Sequence, residues 1–426
     1  MATTMLAIMA VLMLLGFPMM IPMLVATLAG FLIYLPNLKT DIIIQQMISG
    51  ISPVALITVP MFILAADIVT RGRTANRLLD LAMTFVGHLR GGLAVTTALS
   101  CTLFGAISGS TQATVVAIGG PLRPRMLKGG YEDKFVLALI INASDIAFLI
   151  PPSIGMIVFG IVGKVSIAEL FLAGIGPGLL ILLLFTIYSV WYALRRNIPL
   201  LPRATWPERF SAMRRAALAT MFPVMIVGGL FTGLFSPTEV AAIAVVYALI
   251  LEVGVHRAVA LRDIPAIAYS TGLITGIVFI LVGAGAAFSW LISFAQIPQQ
   301  IIGGLGLADA GPAMVLFAIC AAFFIACMFV DSIVATLILT PIFMPLVMST
   351  GLDPVLVGTI VTLQMAIGSA TPPFGCDIFT ACAVFRKPYL EVIRGTPPFI
   401  ALLLLATFLI AAFPQIALFL PNLAFR

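Results

Sequence analysis

Long apolar runs alternate with short polar clusters along the whole chain. The runs predict membrane-spanning helices over about 5–34, 51–70, 134–163, 168–194, 217–235, 240–255, 266–292, 355–385 and 396–420, because about 20 apolar residues are needed to cross the hydrocarbon core of a bilayer. Two further apolar stretches, 93–127 and 312–348, are interrupted in the middle by Ser108-Gly109-Ser110 and by Asp331-Ser332. Irregular backbone at membrane depth persists only where protein, water or ligand satisfies it. Each stretch therefore predicts a re-entrant hairpin with a polar tip. The alternative is two ordinary spans joined by a polar turn, which requires every half to be a full-length crossing.

Composition sharpens this into a class. Of 426 residues, 62% are hydrophobic and 9% charged, against about 25% charged in a typical soluble domain. That excludes an ordinary soluble enzyme, a disordered chain and a nucleic-acid binder, and leaves an all-α polytopic membrane protein. The formal net charge of +6 is carried by short clusters between apolar runs. Placed on the predicted spans, 19 of the 22 Lys and Arg fall on one side, leaving Lys39, Lys164 and Arg426. The positive-inside rule makes the rich side cytoplasmic. Nine crossings then put the N-terminus inside and the C-terminus outside. Met5 to Tyr34 reads as a retained first span. The first interrupted stretch has basic residues at both ends and opens to the cytoplasm. The second lies in a segment free of Lys and Arg from Arg262 to Arg386 and opens to the periplasm.

The two halves share a spacing. Gly130 and Gly351, Pro151-Pro152 and Pro372-Pro373, and Pro177 and Pro398 are all separated by 221 residues, as are Ser110 and Asp331. The repeated unit is a hairpin, a broken helix and a closing helix. Opposite openings make the repeat inverted, a plan that in secondary transporters places the binding site between the repeats near the midplane. The domain division follows: 1–88 scaffold spans and a cytoplasmic arm, 89–186 a first transport repeat, 187–309 scaffold spans with an arginine-rich loop, 310–407 a second transport repeat, and 408–426 the end of the last span.

Candidate chemistry sits at the four breaks. Candidate sodium ligands are Ser108, Ser110 and Thr111 at the first tip, Asn142, Ser144 and Asp145 at the first broken helix, Asp331 and Ser332 at the second tip, and Gly368, Ser369 and Thr371 at the second broken helix. Hydroxyl, carbonyl and carboxylate oxygens suit a hard cation such as Na⁺. Substrate contacts are expected from Ser108, Ser110, Pro152, Ser153, Asp331 and Pro373, where half-helix N-termini favour an anion. Asp331 is an intramembrane carboxylate, costly unless paired or solvated. Asp377, after the second break, reads as a helix cap as readily as a ligand. Cys101, Cys320, Cys327, Cys376 and Cys382 form no CxxC pair, and His88 and His256 each adjoin an Arg, so neither a thiolate metal site nor a histidine one is expected. No nucleotide-binding loop is present, so an ion gradient is the expected energy source. An intramembrane aspartyl protease using Asp145 with Asp331 or Asp377 lacks both a Tyr-Asp and a Gly-x-Gly-Asp motif.

Gly16-Phe17-Pro18, Pro60-Met61-Phe62, Gly105 to Thr114, Ile150 to Ile154, Pro237-Thr238-Glu239, Thr340-Pro341 and Gly368 to Pro373 together resemble the large membrane subunit of TRAP transporters, DctM-like or SiaM-like, over nearly the whole chain. The resemblance implies a sodium-coupled, elevator-type importer of a carboxylated solute, not an enzyme, with no cofactor beyond Na⁺ as coupling ion. Its implied partners are a small four-helix membrane subunit and a periplasmic substrate-binding protein. Sialic acid, C4-dicarboxylates and sugar acids are the implied solutes, with a lean to sialic acid. A self-sufficient sodium–carboxylate symporter of a related inverted-repeat fold is the alternative.

Overall fold

A computed structural model describes residues 1–304, Gly306 and 310–425. Arg426 and the end of the 187–309 segment lie outside the described residues, which form helices and connections with no strand. The first half runs α1 (Ala2–Leu14), α2 (Met20–Tyr34), α3 (Asp41–Ile51), α4 (Thr58–Arg71), α5 (Thr74–Val86), α6 (Gly92–Ser108), α7 (Thr111–Lys128), α8 (Asp133–Ser144), α9 (Ile154–Gly163) and α10 (Ile167–Arg195). The second runs α11 (Trp206–Phe231), α12 (Pro237–Leu249), α13 (Ile264–Phe294), α14 (Ile297–Gly304), α15 (Pro312–Phe329), α16 (Ser332–Ser349), α17 (Pro354–Ser369), α18 (Cys376–Phe385), α19 (Tyr389–Ile393), α20 (Pro397–Ala412) and α21 (Gln415–Phe425). Among the described residues, seven helices are long and apolar enough to cross a membrane, or eight if the pair α20–α21, bent by 52°, counts as one span.

Two expectations are corrected. The run 5–34 is not one span. Gly16 has φ +82°, a conformation glycine reaches at little cost, and Pro18 follows it, so the chain folds back. The Thr4 and Tyr34 hydroxyls meet at 2.7 Å, closing α1 on α2 as a hairpin. Helices of 13 and 15 residues rise only about 20 and 22 Å at 1.5 Å per residue, short of a ~30 Å core. The count of nine crossings falls with this span. The amphipathic helices α3 and α5 lie between and after the first two predicted spans, within the 1–88 segment.

The expected spacing reappears in the backbone. The first hairpin's breakpoints, Ser108 and Thr111, and the second's, Phe329 and Ser332, lie 221 residues apart, and so do the ends of α7 and α16. Both Gly130 and Gly351 have positive φ, and the Pro151-Pro152 and Pro372-Pro373 bonds are both cis. Helices α8 and α9 are separated by a 3-10 turn, Asp145–Phe148, and the two prolines, and α17 and α18 by a shorter break. Around these paired units, α4 packs on α12 and α13, while α3 and α2 lie along α13.

Candidate substrate and ion site

The first tip is shaped by one glycine. Gly109 caps α6 with φ +60°, and a Cβ there would lie 2.2 Å from the Pro152 carbonyl oxygen. The tip is thus pressed onto the first broken helix. Ser110 caps α7, its Oγ accepting from the Ala113 N–H at 3.4 Å. Ser108 Oγ meets Thr114 Oγ1 at 3.2 Å, and Thr114 donates to the Ser110 carbonyl at 2.8 Å. At the second tip the Asp331 carboxylate caps α16, accepting from the Ile333 N–H at 2.9 Å. Ser332 donates to the Met365 carbonyl of α17 at 3.2 Å. Gly368 lets α17 approach α15, since a Cβ there would lie 2.3 Å from Cys327 Cβ.

Asp377 joins the two halves. It is wholly buried; its Oδ1 accepts from Thr111 Oγ1 and its Oδ2 from Ser369 Oγ, both at 2.7 Å. The first hairpin tip is thereby tied to the second broken helix. The sequence offered a signal for this residue, an acid directly after a break, but not its partner 266 residues away. Asp145 is equally buried, yet both its carboxylate oxygens, and Oδ1 of Asn142 one turn earlier, have no partner among the described residues. Asn142 Nδ2 donates to the Ala138 carbonyl at 2.8 Å, Ser144 to that of Ile141 at 2.5 Å and Thr371 to that of Ile367 at 2.6 Å. Ser153 caps α9, accepting from the Met156 N–H at 3.3 Å, and the Pro373 carbonyl accepts from the Tyr389 hydroxyl at 2.8 Å.

Between these parts lies a cavity of about 420 Å³. Both tips contribute, through Ser110, Thr111, Asp331 and Ser332; the broken helices add Phe148, Ile154, Ser369 and Cys376, and α4 and α13 close it with Ile63, Ile274, Ile277, Val278 and Leu281. Four helices, α7, α9, α16 and α18, start at this wall. Their free N–H groups and positive dipole ends favour an anionic group. Asp331 is the only charged residue on the lining, and it is exposed. Of the expected substrate contacts, Ser110 and Asp331 reach the wall; Ser108, Pro152, Ser153 and Pro373 do not line it. Of the expected ion ligands, Ser110, Thr111, Asp331, Ser332 and Ser369 converge there, whereas Asn142, Ser144, Asp145, Gly368 and Thr371 do not line it.

A cavity with a few hydroxyls and one carboxylate on a mostly apolar wall, set between broken helices inside an apolar bundle, is the geometry of a solute site in a polytopic membrane protein. The solved Alcanivorax borkumensis YdaH transporter has the same fold at TM-score 0.65 and 15% identity, over 89% of this chain and 90% of that one. Neisseria gonorrhoeae MtrF matches at TM-score 0.52 and 15% identity, over 94% and 92%. The family model for the tripartite ATP-independent periplasmic transporter DctM component matches residues 6–416. The chain belongs to this family, the large permease proteins of TRAP transporters, and is not an enzyme. The family implies a small membrane subunit and a periplasmic binding protein. Among relatives, the Ruegeria pomeroyi ectoine/5-hydroxyectoine TRAP transporter large permease protein UehC is 65% identical over 100% of both chains. The Halomonas elongata ectoine permease TeaC is 64% identical over 100% of both. The sialic acid permease SiaM of Vibrio cholerae is 31% identical over 96% of this chain and 95% of its own length.

Proposed function

We propose that this protein is the large permease of a sodium-coupled TRAP importer for ectoine or a close analogue, rather than for sialic acid or a C4-dicarboxylate. The observation that carries the reading is the charge of the site beside the 64–65% identity to ectoine permeases. Asp331 is the only charged residue on the cavity wall, Asp377 is buried just behind it, and neither a basic side chain nor a histidine lines it. A dianion would meet acids with no basic counter-group. Ectoine carries both a delocalised amidinium and a carboxylate. Its amidinium suits Asp331, and its carboxylate suits the helix N-termini.

Sodium coupling is supported by the donor set: Ser110, Thr111 and Ser369 hydroxyls with freed tip carbonyls make an oxygen-only cradle for a hard cation. Asp377 would orient two of those hydroxyls. The tips reach the breaks of the broken helices rather than their far ends, which supports a first hairpin that stops part-way; α15 and α16 of the second are each long and apolar enough to cross. With the recurring 221-residue spacing, this favours an inverted repeat whose two units, 89–186 and 310–407, move as one elevator body against the scaffold. The arginine-rich side is read as cytoplasmic.

The test is uptake of labelled ectoine into proteoliposomes holding the large and small subunits, with the binding protein outside. Uptake that needs an inward Na⁺ gradient and is outcompeted by ectoine but not by sialic acid or succinate is expected. Undiminished uptake with K⁺ replacing Na⁺ on both sides removes sodium as driver. Competition by succinate alone removes ectoine.

A further inference from the structure

A second cleft, sharing no residue with the cavity at the hairpin tips, lies between α5 and α11. It has a volume of about 410 Å³ and is walled by Arg73, Asn76, Arg77, Asp80, Ala212 and Arg215. Three guanidiniums face one carboxylate. Asp80 sits 4.0 Å from Arg125, which is not part of the wall. Arg77 is held by His256 Nε2 at 2.6 Å and donates to the Arg215 carbonyl at 3.0 Å. The guanidiniums of Arg73 and Arg215 have no acceptor among the described residues.

An independent feature of the same seam points the same way. Arg209, one turn before Ala212, is 7% exposed. Its guanidinium lies over the rings of Phe85 and Trp206, 5.8 and 5.2 Å from their centroids. Its Nε and Nη2 have no hydrogen-bond acceptor among the described residues. Buried charged groups are ordinarily paired; among the described residues Arg209 is met by ring faces alone and adds a further positive charge to the α5–α11 seam. Next to it Trp206, Phe210 and Met213 stand exposed on the first turns of α11. Aromatic side chains beside arginines mark the depth of the membrane–water interface.

We propose that this cleft binds the phosphate headgroup of an anionic phospholipid. Guanidinium forks match phosphate oxygens bidentately, and basic pockets between helices at the headgroup level recognise such lipids. The exposed Trp206, Phe210 and Met213 would lie along the acyl chains, a contact that a soluble phosphate cannot use. The bound lipid would bridge α5, which leads into the first hairpin, to α11 of the scaffold.

The experiment uses the permease purified with its small subunit in detergent and reads thermal unfolding after adding dioleoylphosphatidylglycerol, dioleoylphosphatidylcholine or inorganic phosphate. Phosphatidylglycerol is expected to raise the midpoint by about 3 °C or more, and phosphatidylcholine and phosphate far less. The double variant Arg73→Gln/Arg215→Gln should lose at least about half of that rise, while Arg203→Gln, away from the cleft wall, keeps it. An equal rise in the double variant overturns the site. An equal rise with inorganic phosphate overturns the lipid as its source. A rise seen only without the small subunit makes the cleft a protein contact and overturns the proposal as well.

Discussion

The two halves of the molecule use matching backbones and different charges. At the 221-residue spacing, Asp331 stands where the first half has Ser110, Asp145 where the second has Ala366, and Asp377 where the first has Met156. All three acids thus have a neutral counterpart. Asp331 is exposed and caps the second tip through the Ile333 N–H. Asp377 is buried and satisfied by two hydroxyls, and Asp145 is buried with both oxygens unpartnered among the described residues. The repeated backbone supplies four converging helix starts, and side-chain substitution then makes that cradle electrically lopsided.

The largest expected effect comes from removing the exposed acid. Asp331→Asn keeps the shape and a cap acceptor for Ile333, so folding and insertion should survive. Uptake should fall about tenfold or more, equivalent to ~1.4 kcal/mol. Asp67→Asn is the control: Asp67 accepts from Thr271 at 2.9 Å, between α4 and α13, and should cost less than about twofold. Equal losses in the two variants would erase the distinction drawn for the second tip.

The tie between halves is tested next. Asp377→Asn turns one accepting oxygen into a donor facing Thr111 or Ser369. Uptake at limiting Na⁺ should drop about fivefold, ~1 kcal/mol, and recover in part at saturating Na⁺. A loss that ignores Na⁺ concentration assigns Asp377 to packing alone.

Packing of the first tip gives a stability prediction. Gly109→Ala meets both a left-handed backbone and the Pro152 carbonyl 2.2 Å away, whereas Gly351→Ala, at φ +71°, meets nothing within 4 Å. The first should destabilise by ~2 kcal/mol or more and the second by ~1 kcal/mol, the conformational part alone. Thermal unfolding of the two purified variants reads the difference; equal shifts would mean that the tip is free of the broken helix.

The smallest effect lies at the arginine-rich end, outside the apolar spans. Asp133 pairs with Arg123 at 2.7 Å and with Lys387 of the second half at 3.4 Å. The hydrogen bond from Arg123 holds the Asp133 carboxyl below its ordinary value of 3.8. With the folded value below the unfolded one, its contribution is complete above 3.8 and is lost as pH falls through the folded value. Asp133→Asn should therefore lower the unfolding midpoint by ~2 °C or less at pH 7, since a partly exposed pair is screened, and the deficit should vanish in strong acid. A deficit that persists there assigns the effect to packing.

Much of this was legible in the sequence. The chain breaks where the sequence clusters polar and helix-breaking residues, at Ser108-Gly109-Ser110, Asp331-Ser332, Pro151-Pro152 and Pro372-Pro373, whereas single prolines such as Pro177 and Pro341 stay inside helices. The first span was misread for the converse reason: Gly16-Phe17-Pro18 is flanked by apolar residues on both sides, and hydropathy does not register a turn that stays apolar. Helices α3 and α5 each have one apolar face and a polar one, too polar overall to register as spans. Asp377 stood beside a break, but its partner Thr111 belongs to the other half, and only tertiary packing brings them together. Asn142, Ser144 and Thr371 donate to carbonyls of their own helices and do not line the cavity, a placement that composition does not reveal.

The central claim is that the cavity between the hairpin tips and the scaffold changes sides. Ser110→Cys, in a permease whose five native cysteines are replaced, places one thiol on the cavity wall. Labelling it with a membrane-impermeant maleimide from each side of oriented proteoliposomes measures access directly. The account predicts that the reactive side switches between Na⁺ with binding protein and ectoine on one hand and Na⁺-free buffer on the other. Reactivity from one fixed side in every condition would contradict it.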